Sequence, residues 1–500
     1  MGTMTFQIPA GLAADAAGEL RRTCMAGGPD NMPWPTELRF TSGTDGGKPP
    51  LLAVSRAVDE SGYLIVPWTI DGRGRMMGTS ATLIERPRPY NLLVELARGK
   101  VNQIRCQAFD WRSGGLQLSP ELEQQIHAAS LAFAGAITGE QASQQAQVAL
   151  DLAYQSAERL VRAYVRQVFQ IRHQRQTKLD TTLACRLGTA VPPPNLASPL
   201  VPAFNSVCLP FSWNNIENEE ATYHWDECDA LLDWALKQKL NVSAGPLIDF
   251  SSAQLPAWLW LWERDVPSLA AFMCKFVETA VRRYRGRIRR WQLTAASNCG
   301  SVLSLSEDDL LGLTYRLAEA ARQVDPSLEL VIGIAQPWGE YMALADRTHS
   351  PFIFADTLIR SGLNLAALDV ELVMGVTPRG SYCRDLLEVS RLLDLYALLG
   401  VHLRVTLGYP SSAHADADAD PELRVEGGHW GEGFTPEVQA AWVSDVTALV
   451  LCKPYVQSVQ WAHFRDTEAH QFPHCGVFDA KDHAKPALQK LRELRETHLK

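Results

Sequence analysis

RRWQLTAA (289–296), LELVIGIA (328–335), LDVELVMG (368–375) and HLRVTLG (402–408) are the stretches on which the fold turns. Each is a strand-length run of largely apolar residues, with Val, Ile and Leu dense in the last three, the texture of a strand buried on both faces. Working outward, four more runs share it: TLACRLG (182–188), FNSVCLP (204–210), NVSAGPLID (241–249) and VQSVQWA (456–462). Between most of them lie amphipathic helical patterns such as CDALLDWALKQ, DDLLGLTYRLAEAARQ and RDLLEVSRLLDLYALLG, with Ser306 and Thr435 at N-cap positions and Gly400 at a C-terminal stop. Eight such repeats in about 320 residues suit a closed (β/α)8 barrel. A doubly wound sheet would need a Gly-rich phosphate turn after its first strand, and none is present.

Upstream the texture differs. Residues 36–90 alternate with the short period of strands, as in ELRF, LLAVSRAV and YLIVPWTI, separated by Gly, Asp and Pro clusters. From Tyr90 the period lengthens to that of a helix, with Gly99 as a weak spot; a second helix follows Ser119-Pro120. A third opens at Thr138, with Gln141 at capping-box spacing, and reaches Gln176. Its stripe of Leu150, Leu160, Val161, Tyr164 and Val168 needs a partner, either a helical hairpin or a homo-oligomer interface through helix 138–176. Its arginines, Arg159 to Arg175, read as a solvated face. The expected organisation is a small β-rich domain over 1–90, a helical connector over 91–180 and the barrel over 181–500. Trp34, Trp68 and Tyr63 are the aromatics the first of these has for binding sugar.

Composition narrows the function. The chain has 500 residues, 46% hydrophobic and 21% charged, with 47 basic against 56 acidic side chains for a net charge of −9. That is a globular composition, and its sign disfavours nucleic acid as a partner. The uncharged run Leu187–Ile216 is long enough to cross a bilayer but holds six prolines, so it reads as an extended connector and no membrane is expected. No basic, apolar leader opens the chain, which points to the cytoplasm. Ten cysteines lie scattered without a Cys-x-x-Cys pair and read as reduced core thiols.

In such a barrel the loops after the strand ends build one shared mouth. The second strand delivers Phe211, Trp213 and Asn214; the third delivers Asp249, Ser251, Ser252, Gln254 and Trp258. The fourth brings Thr294, Ser297 and Asn298, the fifth Gln336, Trp338, Glu340 and Tyr341, and the sixth Glu371, Arg379 and Tyr382. The seventh adds Tyr409, Ser411 and Ser412, and the eighth Trp461, His463 and Asp466. Flat aromatic faces stack on sugar rings while amide, hydroxyl and carboxylate groups meet hydroxyls. Packing is the alternative for any one of these tryptophans.

The succession PFSWNNIENEEATYHWDECDALLDWALKQKLNVSAGPL (210–247), LPAWL (255–259) and VRRYRGRIRRWQL (281–293), followed by SVQWAHFRD (458–466) and FDAKDHAKPAL (478–488), resembles glycoside hydrolase family 10, the β-1,4-xylanase barrels. The resemblance covers roughly residues 180 to 495 as an ordered set of moderately specific motifs. It implies a β-linked oligo- or polysaccharide partner and O-glycosyl bond hydrolysis if active; no cofactor or metal is expected. It also implies where the chemistry should sit. The family's acid/base Glu falls on Ala296, in Trp291-Gln292-Leu293-Thr294-Ala295-Ala296, and its nucleophile falls at about Leu407, so both usual glutamates are absent.

Three readings follow: a glycosidase with relocated carboxylates, a noncatalytic glycan-binding barrel, or a structural and assembly protein. On the first, Asp249 and Glu340 are the candidate acid/base residues, since both follow strand ends beside aromatics. Trp213, Trp258, Gln336, Trp338, Tyr341, Glu371, Trp461 and Asp466 are the candidate substrate-binding residues. Asp416-x-Asp418-x-Asp420 starts like a calcium loop, but Pro421 replaces the required Gly and it reads as a flexible acidic loop. His463, His470, His474 and Cys475 cluster near the last strand and offer metal-ligand types, but the i, i+4 pair His470/His474 is a weak signal and Pro473 argues against a helix presenting it.

Overall fold

The structure is a computed structural model and describes all residues except 1, 10–17, 29–31, 42–48, 140, 252–253, 301 and 345–346. Ser252 therefore lies outside the described residues. Alternating residues in the N-terminal region build β1 (Gly2–Gln7), β2 (Cys24–Gly27), β3 (Met32–Pro33), β4 (Thr36–Thr41), β5 (Leu51–Arg56), β6 (Tyr63–Ile70), β7 (Gly74–Thr79) and β8 (Tyr90–Asn91). β4-β5-β1-β8 form one sheet, and β7-β6-β2-β3 form most of another. The inward residues Met4, Phe6, Leu52, Val54, Leu64 and Val66 are fully buried, as a period of two requires.

Three helices follow: α1 (Leu92–Ser113), α2 (Pro120–Thr138) and α3 (Ala142–Arg175). Asn91 and Ser119 cap the first two by accepting from the amides of Val94 and Leu122. Thr138 closes α2, its hydroxyl donating to the Ala134 carbonyl, and does not open α3 as expected. Gly139 is the cap of α2, so the chain turns here and a hairpin replaces one longer helix. The apolar stripe of α3 is covered by α1 and α2, and Arg162 reaches the barrel at Asp445, 2.7 Å away. That cover removes the reason for expecting an oligomer through this helix.

Gly99 is explained by a close approach. A Cβ there would strike the Thr79 carbonyl and the Ser80 backbone, because α1 lies directly on the end of β7. Gly99→Ala is therefore expected to destabilise by roughly 1–3 kcal/mol from overpacking, although alanine favours an isolated helix by about 1 kcal/mol. A rise in thermal midpoint would show that the backbones separate freely.

The barrel staves are β9 (Thr182–Arg186), β10 (Ser206–Leu209), β11 (Asn241–Ala244) continued by β12 (Ile248–Asp249), β13 (Arg290–Ala295), β14 (Glu329–Ile334), β15 (Ala367–Val373), β17 (Leu403–Gly408) and β20 (Val456–Trp461). All neighbours are parallel, and the ring closes through β20 on β9, with Val459 opposite Leu183, and through the interrupted third stave on β13. The (β/α)8 barrel read from the eight runs is thus the fold. Helices cover its outside, with Ser306 making a complete capping box with Asp309 and Thr435 capping the helix Pro436–Cys452.

Two further features differ from expectation. The proline-rich run is not an extended connector: it folds into a helix, Pro194–Ala203, before β10. Pro194 occupies the first turn, where a missing N–H is harmless, and the short helix tolerates Pro199 and Pro202. The second difference concerns the barrel's own loops, which extend the N-terminal region. β16 (Val376–Thr377) pairs with β18 (Arg424–Val425), and β19 (His429–Trp430) adds to β7 as the outer strand of the second sheet. Seven cysteines are buried and Cys106 is exposed; among the described residues no helix is long and apolar enough to cross a membrane.

Candidate functional site

The barrel axis is polar and charged. Arg404 and Thr406 of β17, Asp369 of β15, Gln292 of β13 and Arg186 of β9 come from staves that are not all neighbours, so they can meet only inside the ring. Arg404 lies 2.6 Å from Asp369, and the Thr406 hydroxyl donates to the same carboxylate at 2.8 Å. Gln292 Oε1 accepts from both Arg404 and Arg186.

One layer nearer the mouth, Arg379 reaches back over the axis from the loop after β16. Its two terminal nitrogens grip Asp249 at 2.9 and 3.1 Å, and its Nε lies 3.9 Å from Glu371. Burial, with the neighbouring Asp249 and Asp369 charges, outweighs Arg379 and pushes the Glu371 carboxyl up to about 7. Burial opposes the charge of Arg379 as well, but the two carboxylates more than offset it and strengthen its proton affinity. Among the described residues, one oxygen of Glu371 and the Nε of Arg379 are buried without a hydrogen-bond partner.

The two candidate acid/base residues have no partner in common. Asp249 belongs to the Arg379 layer, whereas Glu340 pairs with Arg384 at 2.8 Å and accepts from the Tyr382 amide. Glu371 shares a guanidinium with Asp249. Gln336, at the end of β14 with a left-handed φ of 45°, donates to the carbonyls of Pro378 and Gly380. Tyr341 accepts from Asn298, whose amide also ties down the Ala335 backbone. Trp338 is half-buried beneath the Arg384 guanidinium, 5.2 Å from its ring centre.

The other tryptophans are placed differently. Trp213 is buried, stacked on Phe276, edge-on to Trp258 and bonded to Glu217. Trp461 is fully buried against Trp442, its indole N–H donating to the Cys475 carbonyl. Trp258 is half-buried and bonded to the Glu217 carbonyl.

Asp466 is held by Lys485 at 2.6 Å and by the Gly476 amide. Ligand atoms of His463, Asp466 and His470 lie within 4.8 Å of one another, but the Lys485 ammonium already supplies the positive charge there. Asp416 is not part of a loose acidic loop: it accepts from His470 at 3.1 Å and from the His474 amide at 2.8 Å. Although burial works against both charges, this pairing holds Asp416 well below the usual carboxylate range and raises His470.

Sequence reasoning missed the axial set of Arg186, Gln292, Asp369, Arg404 and Thr406. Its signal was available as polar residues two apart inside runs read as continuously apolar, such as Asp369 and Glu371, or Arg404 and Thr406.

Fold and site together define a (β/α)8 barrel with a polar axis and a mouth built from several loops. Residues 202–333 match the family described as Glycosyl hydrolase family 10. The chain is 31% identical over 127 residues to endo-1,4-beta-xylanase 3 of Hypocrea jecorina, 24% of this chain and only 35% of that protein. It is 22% identical over 303 residues to endo-1,4-beta-xylanase B of Thermotoga neapolitana, 58% of this chain and 79% of that one. The solved xylanase 10B from Thermotoga petrophila in complex with xylobiose covers 63% of this chain and 94% of its own, at 15% identity and a TM-score of 0.47. The part of the barrel over residues 202–333 is therefore similar to glycosyl hydrolase family 10.

Proposed function

We propose that this chain binds a β-linked oligo- or polysaccharide on its barrel mouth and that the two-carboxylate cleavage chemistry is silent. The observation that carries this reading is the single guanidinium of Arg379 between Asp249 and Glu371. A retaining glycosidase needs one carboxyl to protonate the leaving oxygen and a second, about 5 to 5.5 Å away, to attack the anomeric carbon. A carboxylate gripped through both oxygens by arginine is poorly placed for either task. By the motif correspondence the usual two positions are Ala296 and about Leu407, which neither transfer a proton nor attack carbon. Gln336, Tyr341 and Trp338 remain as amide, phenol and ring to hold sugar. The relatives named for xylanase activity make xylo-oligosaccharides the first ligands to test.

Calorimetry with xylo- and cello-oligosaccharides is expected to register binding, with no release of reducing ends above that of a Glu371→Gln variant. A second reading is favoured by the Glu371 carboxyl itself, which at about 7 keeps its acid form near neutrality, as a general acid requires. Hydrolysis that is lost in Glu371→Gln and falls as pH rises through about 7 would establish that reading and overturn the silent one.

A further inference from the structure

The loops after β14 and β16 do not open only onto the barrel axis. With the loop that carries β18 they face the N-terminal sheet across a cleft of about 560 Å3, within the roughly 300–1,000 Å3 of small-ligand sites. One wall is Thr23, Ile65 and Met77; the other includes Gln336, Tyr341 and Arg384. The walls are fixed to each other. Arg22 bonds Thr377 at 3.3 Å and Glu426 at 3.2 Å, the Tyr382 hydroxyl donates to Glu19, and the Met77 amide donates to the Cys383 carbonyl at 2.9 Å.

Three lining residues, each more than nine-tenths buried, carry a side-chain atom without a hydrogen-bond partner among the described residues: Thr23 Oγ1, Gln336 Oε1 and Arg384 Nη1. A buried polar group left unpaired costs about 1–3 kcal/mol, so three on one cleft call for a ligand or water that both donates and accepts. Four arginines and three glutamates line it, so the charge is nearly balanced and no strongly anionic ligand is selected. Ile65, Met77 and Leu344 offer an apolar surface beside these groups.

We propose that this cleft is the saccharide site. A short neutral oligosaccharide lies between the N-terminal sheet and the barrel loops, its hydroxyls on Thr23, Gln336 and Arg384 and a ring face on Met77 and Ile65. The inference rests on the glycan-binding reading above and moves the sugar off the axis, where Arg379 stands, into a site that the barrel alone does not complete.

The test is calorimetry on the full chain with xylobiose to xylotetraose and the matching cello-oligosaccharides. Thr23→Val and Gln336→Leu are expected to weaken binding at least tenfold. Leu344→Asp, at a side chain 88% exposed, should weaken it severalfold with an unchanged thermal midpoint, so that a folding defect cannot account for the loss. Trp260→Ala, on the loop after the third stave, is expected to leave it unchanged. Undiminished affinity in the three cleft variants with loss in Trp260→Ala would place the sugar elsewhere on the mouth; this proposal would fall and the glycan-binding reading would stand. If no oligosaccharide binds the wild-type chain, both fall.

Discussion

Asp369→Ala is expected to lower the unfolding free energy by about 3–5 kcal/mol, the usual effect of removing one partner from a buried ion pair. Asp369 and Arg404 are both almost wholly buried, and among the described residues each is the other's one ion-pair partner. Among the described residues two nitrogens of Arg404 already lack a hydrogen-bond partner, so the loss of Asp369 would leave a guanidinium inside the barrel with Gln292 as its remaining acceptor there. Replacing both members by apolar residues, Asp369→Leu with Arg404→Met, should recover most of the loss, because desolvation of the two charges disappears with their attraction. Urea unfolding of the single and double variants measures this. A single variant within about 1 kcal/mol of wild type would mean that water reaches the axis and screens the charge.

The Arg379 layer should show the opposite pH dependence in two variants. Glu371 has its carboxyl raised in the fold from 4.5 to about 7, so its contribution is fully present below about 4.5 and is lost as pH rises through about 7. Keeping this group ionised in the fold at pH 8 costs about 3 kcal/mol relative to the unfolded chain. Glu371→Gln should therefore gain on wild type between pH 5 and pH 8, by up to that amount. Arg379→Met removes the cation between two carboxylates and should lose about 3–5 kcal/mol at pH 8, with the deficit shrinking toward pH 5 as protons replace the missing charge. Thermal midpoints across that range decide both, and parallel curves for the three proteins would contradict the assigned layer.

How much of this was legible beforehand differs from element to element. Barrel strands were readable because burial on both faces leaves a continuous apolar run, and 289–296 or 402–408 fall within two residues of β13 and β17. Caps such as Ser306 and Thr435 were readable because their chemistry is local. The hairpin turn at Thr138 was not, since a Thr with Gln three residues on has the same spacing whether it closes one helix or opens the next. The helix Pro194–Ala203 was hidden by prolines, whose average effect is to break helices; Pro194 is harmless in the first turn, while Pro199 and Pro202 stand inside a helix of only ten residues.

Site residues follow the same division. That Asp249, Glu340 and Glu371 stand near strand ends was in the sequence; that Arg379 joins the first to the third and Arg384 takes the second was not. Trp213 and Trp338 are both aromatics just after a strand, yet one is packed on Phe276 and the other lies half-buried under a guanidinium. By itself the sequence determined the eight-fold alternation, helix starts with a plain cap such as Ser306 and Thr435, and the polar residues each strand carries, because periodicity and capping are properties of neighbours along the chain. Only the tertiary structure decided which charges meet on the axis, that Gly99 is a point of backbone contact, and that the N-terminal sheet closes a cleft against the mouth. Those depend on side chains brought together from as far apart along the chain as Arg22 and Glu426, and no local pattern encodes such a distance.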